Sequence, residues 1–120
     1  MGLQILTRKS GDVTIFDVCG RIVIGANSDS FRAELRKLAE RAPCHVLVNL
    51  AGVTQVDSSG ISALVQSFVT LKRDGGSLKI LNATGYVREV LELTGLVKCL
   101  PVFTDEAIAL ASFRGNAAHA

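Results

Sequence analysis

The sequence predicts a single α/β domain whose mixed β-sheet follows the element order ββαβαβαβα. Its length, 120 residues, is that of one domain. Residues 46–50 form an apolar run typical of a strand buried on both faces, and from Ile61 the apolar residues take a helical period. The alternation of short apolar runs and helical stripes continues to Phe113. Strands joined through helices are expected to be parallel with right-handed crossovers, so only the opening hairpin should be antiparallel.

The first part of the chain predicts a hairpin and a loop. Residues 3–7 and 13–19 are β-rich and form its two strands, and residues 9–12 are the turn between them. Residues 21–24 can extend the second strand, whereas residues 25–28 are expected to form a loop. The hairpin is therefore the antiparallel part of the sheet.

The first helix is expected to begin at a side-chain cap supplied by Ser28, Asp29 or Ser30. Its apolar residues recur at helical spacing and are Phe31, Leu35, Leu38 and Ala42. The basic residues expected on its solvent side are Arg32, Lys37 and Arg41. Pro43 should end the helix, because proline has no amide donor and its ring clashes with the preceding turn.

The central helix follows the buried strand through the polar segment Asp57-Ser58-Ser59-Gly60. One apolar stripe predicts the face that packs into the core, and its members are Ile61, Leu64, Val65, Phe68 and Leu71. Gly75 and Gly76 end the helix, since glycine enters the left-handed region after a C-cap without strain.

The next elements are a strand at residues 78–81 and a helix capped by residues 82–84. The apolar residues of this helix are Val87, Val90 and Leu91. Gly95 is placed as its C′ residue, which brings Leu96 back against Leu91. Residues 99–103 form the last strand, and Pro101 predicts an edge position because it lacks an amide donor.

Residues 104–106 are expected to cap a final helix. Its apolar residues are Ile108, Leu110, Ala111 and Phe113. The domain should therefore span residues 1–113. Residues 114–120 are predicted to be a flexible C-terminal tail, because they carry too little apolar surface to be held against the core.

The composition argues against several classes of function. A formal charge of +2 without a Lys/Arg cluster predicts no nucleic-acid binding. No apolar run approaches the roughly 18 residues of a membrane span. The N-terminus also lacks the leader of an exported protein, so a cytoplasmic protein without membrane insertion is expected. The three cysteines are widely spaced and are interpreted as buried thiols in a reducing compartment.

The residues do not predict a catalytic, metal or cofactor site. There is no G-x-S-x-G motif, and an active serine needs a neighbouring base. His45 precedes the central strand, at the end remote from Ser58, and His119 lies in the expected tail. Two histidines and three scattered cysteines show no metal-ligand spacing. We therefore expect a protein that is not an enzyme.

Asp57, Ser58 and Ser59 stand where a buried strand ends and a helix begins. A side-chain oxygen there can accept a hydrogen bond from an unpaired helix amide, and the helix dipole favours negative charge. The segment is therefore a plain helix cap, with Ser58 expected to contribute, or a site for an anion or a phosphate. Gly60 costs about 0.5–1 kcal/mol relative to alanine in a helix. Its missing Cβ is expected to let a partner's backbone come close.

Three motifs occur together in the chain. They are Asn49-Leu50 followed by Val56-Asp57-Ser58-Ser59-Gly60-Ile61, Gly75-Gly76 before a strand, and Leu93-Thr94-Gly95-Leu96 at the end of a helix. Over about residues 3–113 the chain resembles the STAS domain family, the bacterial anti-sigma factor antagonists. The resemblance implies a STAS-like sheet with helices mainly on one face. It also implies that a partner kinase phosphorylates the first serine after the aspartate, here Ser58.

The resemblance further implies a regulatory cycle. The unphosphorylated antagonist binds an anti-sigma factor serine kinase and frees a sigma factor. The kinase inactivates it with ATP, and a serine phosphatase restores it. The expected partner-binding residues are Asp57, Ser58, Ser59, Gly60, Ile61, Gly20 and Arg21. The protein is expected to be a monomer or a weak dimer.

One segment departs from the family pattern. Many antagonists carry Gly-Glu-Leu-Asp after the second strand, in a loop that helps engage the kinase, whereas this chain has Gly20-Arg21-Ile22-Val23. The glycine is kept, both acids are lost and a cation is gained. This departure favours the alternative of a non-switching STAS scaffold subunit in a larger bacterial signalling or membrane-associated transport assembly.

Overall fold

The computed structural model describes residues 3–23, 25–40, 44–83 and 85–118. The strands are β1 (Gln4–Ser10), β2 (Val13–Ile22), β3 (His45–Val56), β4 (Ser77–Leu81) and β5 (Val102–Phe103). The helices are α1 (Ala26–Ala39), α2 (Ser58–Arg73), α3 (Gly85–Leu93) and α4 (Glu106–Ala118), with a 3₁₀ turn at Leu96–Lys98. The predicted order ββαβαβαβα is therefore confirmed.

The sheet has the strand order β1-β2-β3-β4-β5. Strands β1 and β2 pair antiparallel, and each later pair is parallel. The predicted mixed sheet and the edge position of β5 are thus confirmed. Strand β5 is shorter than predicted, because the amides of Cys99 and Leu100 donate back to the Leu96 carbonyl and Pro101 has no amide donor.

The helices lie mainly on one face of the sheet, as expected. Helices α1, α2 and α3 pack on the face that carries Phe16, Val48 and Ile80, all fully buried. Helix α4 covers the opposite face, where Leu47 and Ala109 are also buried. Because both faces of β3 are covered, its first half can be continuously apolar.

Helix α1 begins earlier than predicted. Gly25 is its N-cap, with φ 108°, and no side chain supplies a capping hydrogen bond. The Gly25 carbonyl instead accepts the Asp29 amide at 3.1 Å, so the first turn forms on the backbone alone. The prediction of a loop at residues 25–28 was wrong, because a glycine in this conformation can start a helix directly. Predictions for six other residues lie outside the described part of the chain: Ile24, Arg41, Ala42, Pro43, Thr84 and His119.

The buried face of α2 differs from the predicted stripe. Its buried residues are Gly60, Ala63, Leu64 and Leu71. Ile61, Val65 and Phe68 are only half-buried. Two small residues let the first turns of the helix approach the sheet closely, so the line from Gly60 through Leu64 to Leu71 faces inward. The positions of large apolar side chains in the sequence do not predict this buried face, because two of its residues are Gly60 and Ala63.

Helix α4 is longer than predicted and packs differently. It runs to Ala118 rather than ending near Phe113, and Ile108 is exposed rather than buried. Asp105 caps the helix by accepting the Ile108 amide at 3.0 Å. On the sheet beneath α4, the buried Lys79 donates to Ser112 Oγ at 2.8 Å, and its desolvation lowers the pKa of the ammonium. That residues 114–120 form a flexible tail stays a prediction.

The cysteines are not buried as predicted. Cys19 and Cys99 are exposed and Cys44 is half-buried, and all three are free thiols. Cys19 lies near the end of β2, where the strand is exposed, and Cys99 follows the 3₁₀ turn at the surface. The prediction that the three thiols are buried was therefore wrong.

An ion network joins the hairpin to α4. The Arg8 guanidinium lies 2.6 Å from Asp17 Oδ2 and 2.6 Å from Glu106 Oε1, with a second hydrogen bond to each carboxylate. These hydrogen bonds lower the pKa of both carboxyl groups. The side chains are 45%, 26% and 39% exposed, so solvent screens the network. Glu106 lies 98 positions from Arg8, so no local pattern predicts that contact.

The first prediction concerns pH. Because the pKa values of Asp17 and Glu106 are lower in the folded chain, Arg8 adds stability above the ordinary carboxyl range near pH 4. That contribution should be lost as the pH falls through the folded pKa values. Chemical denaturation between pH 7 and pH 3 should show a smaller loss of unfolding free energy for Arg8→Gln than for the wild type. Arg88→Gln, which breaks only the exposed pair with Glu92, is the control and should follow the wild-type profile. Identical profiles for wild type and Arg8→Gln would contradict the role of the network.

The second prediction tests the orientation of α2. Leu64→Ala should lower the unfolding free energy by about 2–5 kcal/mol, as truncation of a fully buried leucine does. Val69→Ala, at a side chain that is 47% exposed, should change it by less than about 0.5 kcal/mol. Urea denaturation measures both variants. A larger loss for Val69→Ala than for Leu64→Ala would mean that the helix is turned the other way.

Candidate functional site

A single residue, Asp57, separates β3 from α2, and it is the helix cap. Its backbone is extended, with φ −113° and ψ −171°. Asp57 Oδ1 accepts hydrogen bonds from the amides of Ser59 at 2.9 Å and Gly60 at 3.3 Å. The expectation that Ser58 contributes to the cap was wrong, because Ser58 is already the first helical residue and the Asp57 carboxylate accepts the Ser59 and Gly60 amides.

The two serines of the segment differ in their surroundings. Ser59 is half-buried, and its hydroxyl donates to Asp57 Oδ1 at 2.6 Å. Ser58 is exposed at the first position of α2. A phosphoryl group on Ser58 would lie at the positive end of the α2 dipole, close to the carboxylate of Asp57. Ser58 is therefore the more accessible hydroxyl of the pair.

Gly60 has an internal packing role. A Cβ at this position would lie 2.7 Å from the Ile22 carbonyl oxygen and 2.7 Å from Val56 Cγ2. The space that the missing Cβ leaves is therefore filled by the ends of β2 and β3. Gly60 is buried, so the expectation that a partner's backbone would use this space is corrected.

The end of β2 lies beside the same junction. Ile22 pairs with Val56, and the Asp57 amide donates to the Ile22 carbonyl at 3.2 Å. Gly20 and Arg21 precede Ile22 at a register shift of the β2–β3 ladder. Arg21 is exposed, and its Nη1 lies 3.5 Å from Gln55 Oε1. The structure thus places Gly20 and Arg21 near the carboxyl end of β2, at the same end of the sheet as Ser58.

A groove of about 600 Å³ opens beside Ser58, between α2 and α3. We call it the α2–α3 groove. Its principal lining residues are Ser58, Ile61, Ser62, Val65, Tyr86 and Val90. Tyr86 is 53% exposed. Of these residues, the sequence analysis assigned Ser58 and Ile61 to the site and missed Tyr86, which lies one helical turn before Val90 on α3.

The other titratable candidates lie elsewhere. His45 begins β3, at the opposite end of the strand from Asp57, and its Nδ1 lies 2.8 Å from Ser77 Oγ. Within the described ranges, no group of three or more His, Cys, Asp or Glu residues could hold a metal ion. The same ranges contain no helix that could cross a membrane.

The STAS domain profile matches residues 4–109. The chain belongs to the STAS domain family. It is 26% identical over 111 residues to the anti-sigma F factor antagonist of Paenibacillus polymyxa, and the alignment covers 92% of this chain and 94% of the relative.

Two solved structures show the same STAS fold. The putative anti-sigma factor antagonist of Thermotoga maritima has a TM-score of 0.84 at 19% identity, covering 92% of this chain and 94% of that one. The Bacillus cell fate determinant SpoIIAA in its phosphorylated form has a TM-score of 0.71 at 16% identity, covering 91% of this chain and 98% of that one. The predicted family and fold are therefore confirmed.

The third prediction separates the cap from the exposed serine of this STAS domain. Asp57→Ala should lower the unfolding free energy by about 0.5–2 kcal/mol, because it leaves two helix amides without their acceptor. Ser58→Ala should change it by less than about 0.5 kcal/mol, as substitutions at exposed positions usually do. Thermal and urea denaturation of both variants measure the difference. A larger loss for Ser58→Ala would return the capping role to that serine.

Proposed function

We propose that this STAS protein is an anti-sigma factor antagonist that is switched by phosphorylation of Ser58. The observation that carries the proposal is the division of roles in the junction. Asp57, Ser59 and Gly60 are each held in internal contacts, while Ser58 is exposed beside a groove. The name of the Paenibacillus relative supports the same function.

Ser58 is the acceptor for an anti-sigma factor serine kinase, which the unphosphorylated protein binds so that a sigma factor is freed. A serine phosphatase reverses the modification. The protein acts in the cytoplasm through binding and carries out no reaction itself. The partner contacts Ser58 and Ile61 at the α2–α3 groove. It also contacts Gly20 and Arg21 near the adjacent carboxyl end of β2.

The switch works through charge at a preformed helix terminus. Phosphorylation adds about −1.5 to −2 charges. In the free protein, water and the helix dipole stabilise that charge. In a docked interface it would be buried close to Asp57, and burial of a charge without a counter-ion is very costly. Every 1.4 kcal/mol of this cost lowers partner affinity about tenfold.

Arg21 bears on which kinase can be the partner. Many antagonists carry acidic residues in this segment, whereas this chain presents the exposed guanidinium of Arg21 at the same end of the sheet as Ser58. A cognate kinase should therefore offer an acidic surface at that point, because like charges facing each other suppress wrong partners. If no kinase recognises the surface formed by Ser58 and Arg21, the alternative function is that of a non-switching scaffold subunit.

The fourth prediction tests the acceptor. The protein is incubated with ATP and each serine kinase of the source cell that is related to anti-sigma factors. Mass spectrometry should find phosphate on Ser58, and Ser58→Ala should abolish it. Ser59→Ala is the matched control and should keep it. Phosphate that persists in Ser58→Ala would undo the assignment.

The mechanism is tested with Ser58→Asp. Because Asp57 remains the cap, this variant should keep the wild-type fold, while kinase binding measured by calorimetry falls tenfold or more. Ser58→Ala should bind as the wild type does. Amide exchange that increases widely beyond residues 57–65 in Ser58→Asp would contradict a surface mechanism. Equal kinase affinity in wild type, Ser58→Asp and Ser58→Ala would favour the scaffold.

A further inference from the structure

A second groove, of about 460 Å³, lies on the other side of α2, between α1 and α2. We call it the basic groove. Arg32 and Arg36 of α1 and Arg73 of α2 line it, and among the described residues no carboxylate does. Its apolar lining comes from Leu35, Val65 and Val69. The groove therefore combines three guanidinium groups with an apolar floor.

Among the described residues, these three arginines form no ion pairs. In the described part of the chain, the cations that form salt bridges are Arg8, Lys37 and Arg88. Arg32 donates instead to the neutral Gln66 at 2.8 Å. Glu40 and Asp74 follow the ends of α1 and α2, but neither lines the groove.

Helix dipoles account for only part of this pattern. Arg36 and Arg73 lie in the last turns of α1 and α2, where cations are favourable. Lys37 and Lys72 lie in the same two turns and can interact with the two helix dipoles in the same way. Arg32 lies in the middle of α1, remote from either terminus. Among the described residues, no carboxylate pairs with any of the three arginines, so the groove keeps a net positive charge.

The basic groove is continuous with the Ser58 surface along α2. One side of α2 carries five residues at intervals of three or four positions, as expected along one face of a helix. They are Ser58, Ser62, Gln66, Val69 and Arg73. At 1.5 Å per residue, this stripe is about 22 Å long. Gln66 and Val65 line both grooves. A protein bound at Ser58 can therefore reach the basic groove without leaving the helix.

We propose that the basic groove binds an acidic segment of the protein that engages Ser58. The inference rests on the proposed function, because it extends the surface of the same partner. Carboxylates of the segment pair with Arg36 and Arg73, since guanidinium groups bind carboxylates in a bidentate geometry. An apolar side chain of the segment packs against Val65 and Val69. A concave groove between two helices fits a polypeptide segment better than a flat lipid surface.

The test uses the ¹⁵N-labelled full chain and the peptide acetyl-Glu-Asp-Leu-Glu-Asp-Leu-Glu-amide. Shift changes in the amide spectrum should concentrate on residues 32–36 and 65–73. The double variant Arg36→Gln/Arg73→Gln should weaken peptide binding tenfold or more. The control Lys37→Gln/Lys72→Gln removes the same charge from the same helix turns, outside the groove lining, and should weaken it less than twofold. Thermal unfolding confirms that both variants are folded.

Two results would overturn the proposal. Equal weakening in both double variants would show that the peptide responds to net charge rather than to the groove. Binding of the protein to vesicles containing phosphatidylserine, with no binding of the peptide, would replace the acidic segment with a membrane surface.

The kinase assay separates this inference from the proposed function. A KM for the protein substrate raised fivefold or more in Arg36→Gln/Arg73→Gln, with kcat unchanged, supports the groove. An unchanged KM with normal phosphate on Ser58 overturns the groove and leaves the switch. Absence of phosphate on Ser58 in the wild type, with peptide binding lost only in the arginine variant, overturns the switch and leaves an acidic-segment site.

Discussion

The close approach of the first turn of α2 to the ends of β2 and β3 determines the geometry of the candidate site around Ser58. Gly60 allows it, since any Cβ there would meet the Ile22 carbonyl and Val56 at 2.7 Å. The Asp57 amide donates to the same Ile22 carbonyl. The Ile22 oxygen therefore contacts both the start of α2 and the residue before it. This contact sets the position of Ser58 relative to Arg21. Rotation of α2 away from the sheet would change both grooves together.

The two faces of the sheet have different roles. The face with α1, α2 and α3 carries both grooves, whereas the face with α4 carries the Arg8 network and the contacts of Asn49. There Asn49 donates to Asp17 at 2.8 Å and its Oδ1 accepts from Asn82 at 3.3 Å, which ties β2, β3 and the end of β4. Asn49 is part of a family motif, yet its contacts here are structural.

Periodicity was sufficient to predict the sheet, the element order and the Asp57–Ser58 junction, because each depends on residues close in sequence. The face of α2 was not predictable in this way, since Gly60 and Ala63 carry little apolar weight but allow the closest packing. The start of α1 was missed because Gly25 caps through its backbone. The Arg8–Glu106 contact joins residues 98 positions apart, and the two grooves form only when separate helices pack side by side.

The unequal roles within the Asp57–Gly60 segment also have an evolutionary consequence. Substitutions at Asp57 or Gly60 damage the helix start itself, so purifying selection on folding alone would keep those two residues. Ser58 is exposed, and many side chains could replace it without loss of the fold. A serine retained at this position through divergence would therefore indicate selection for something other than folding. A drift to other residues would mark a lineage in which the domain had kept its shape without the proposed phosphorylation site.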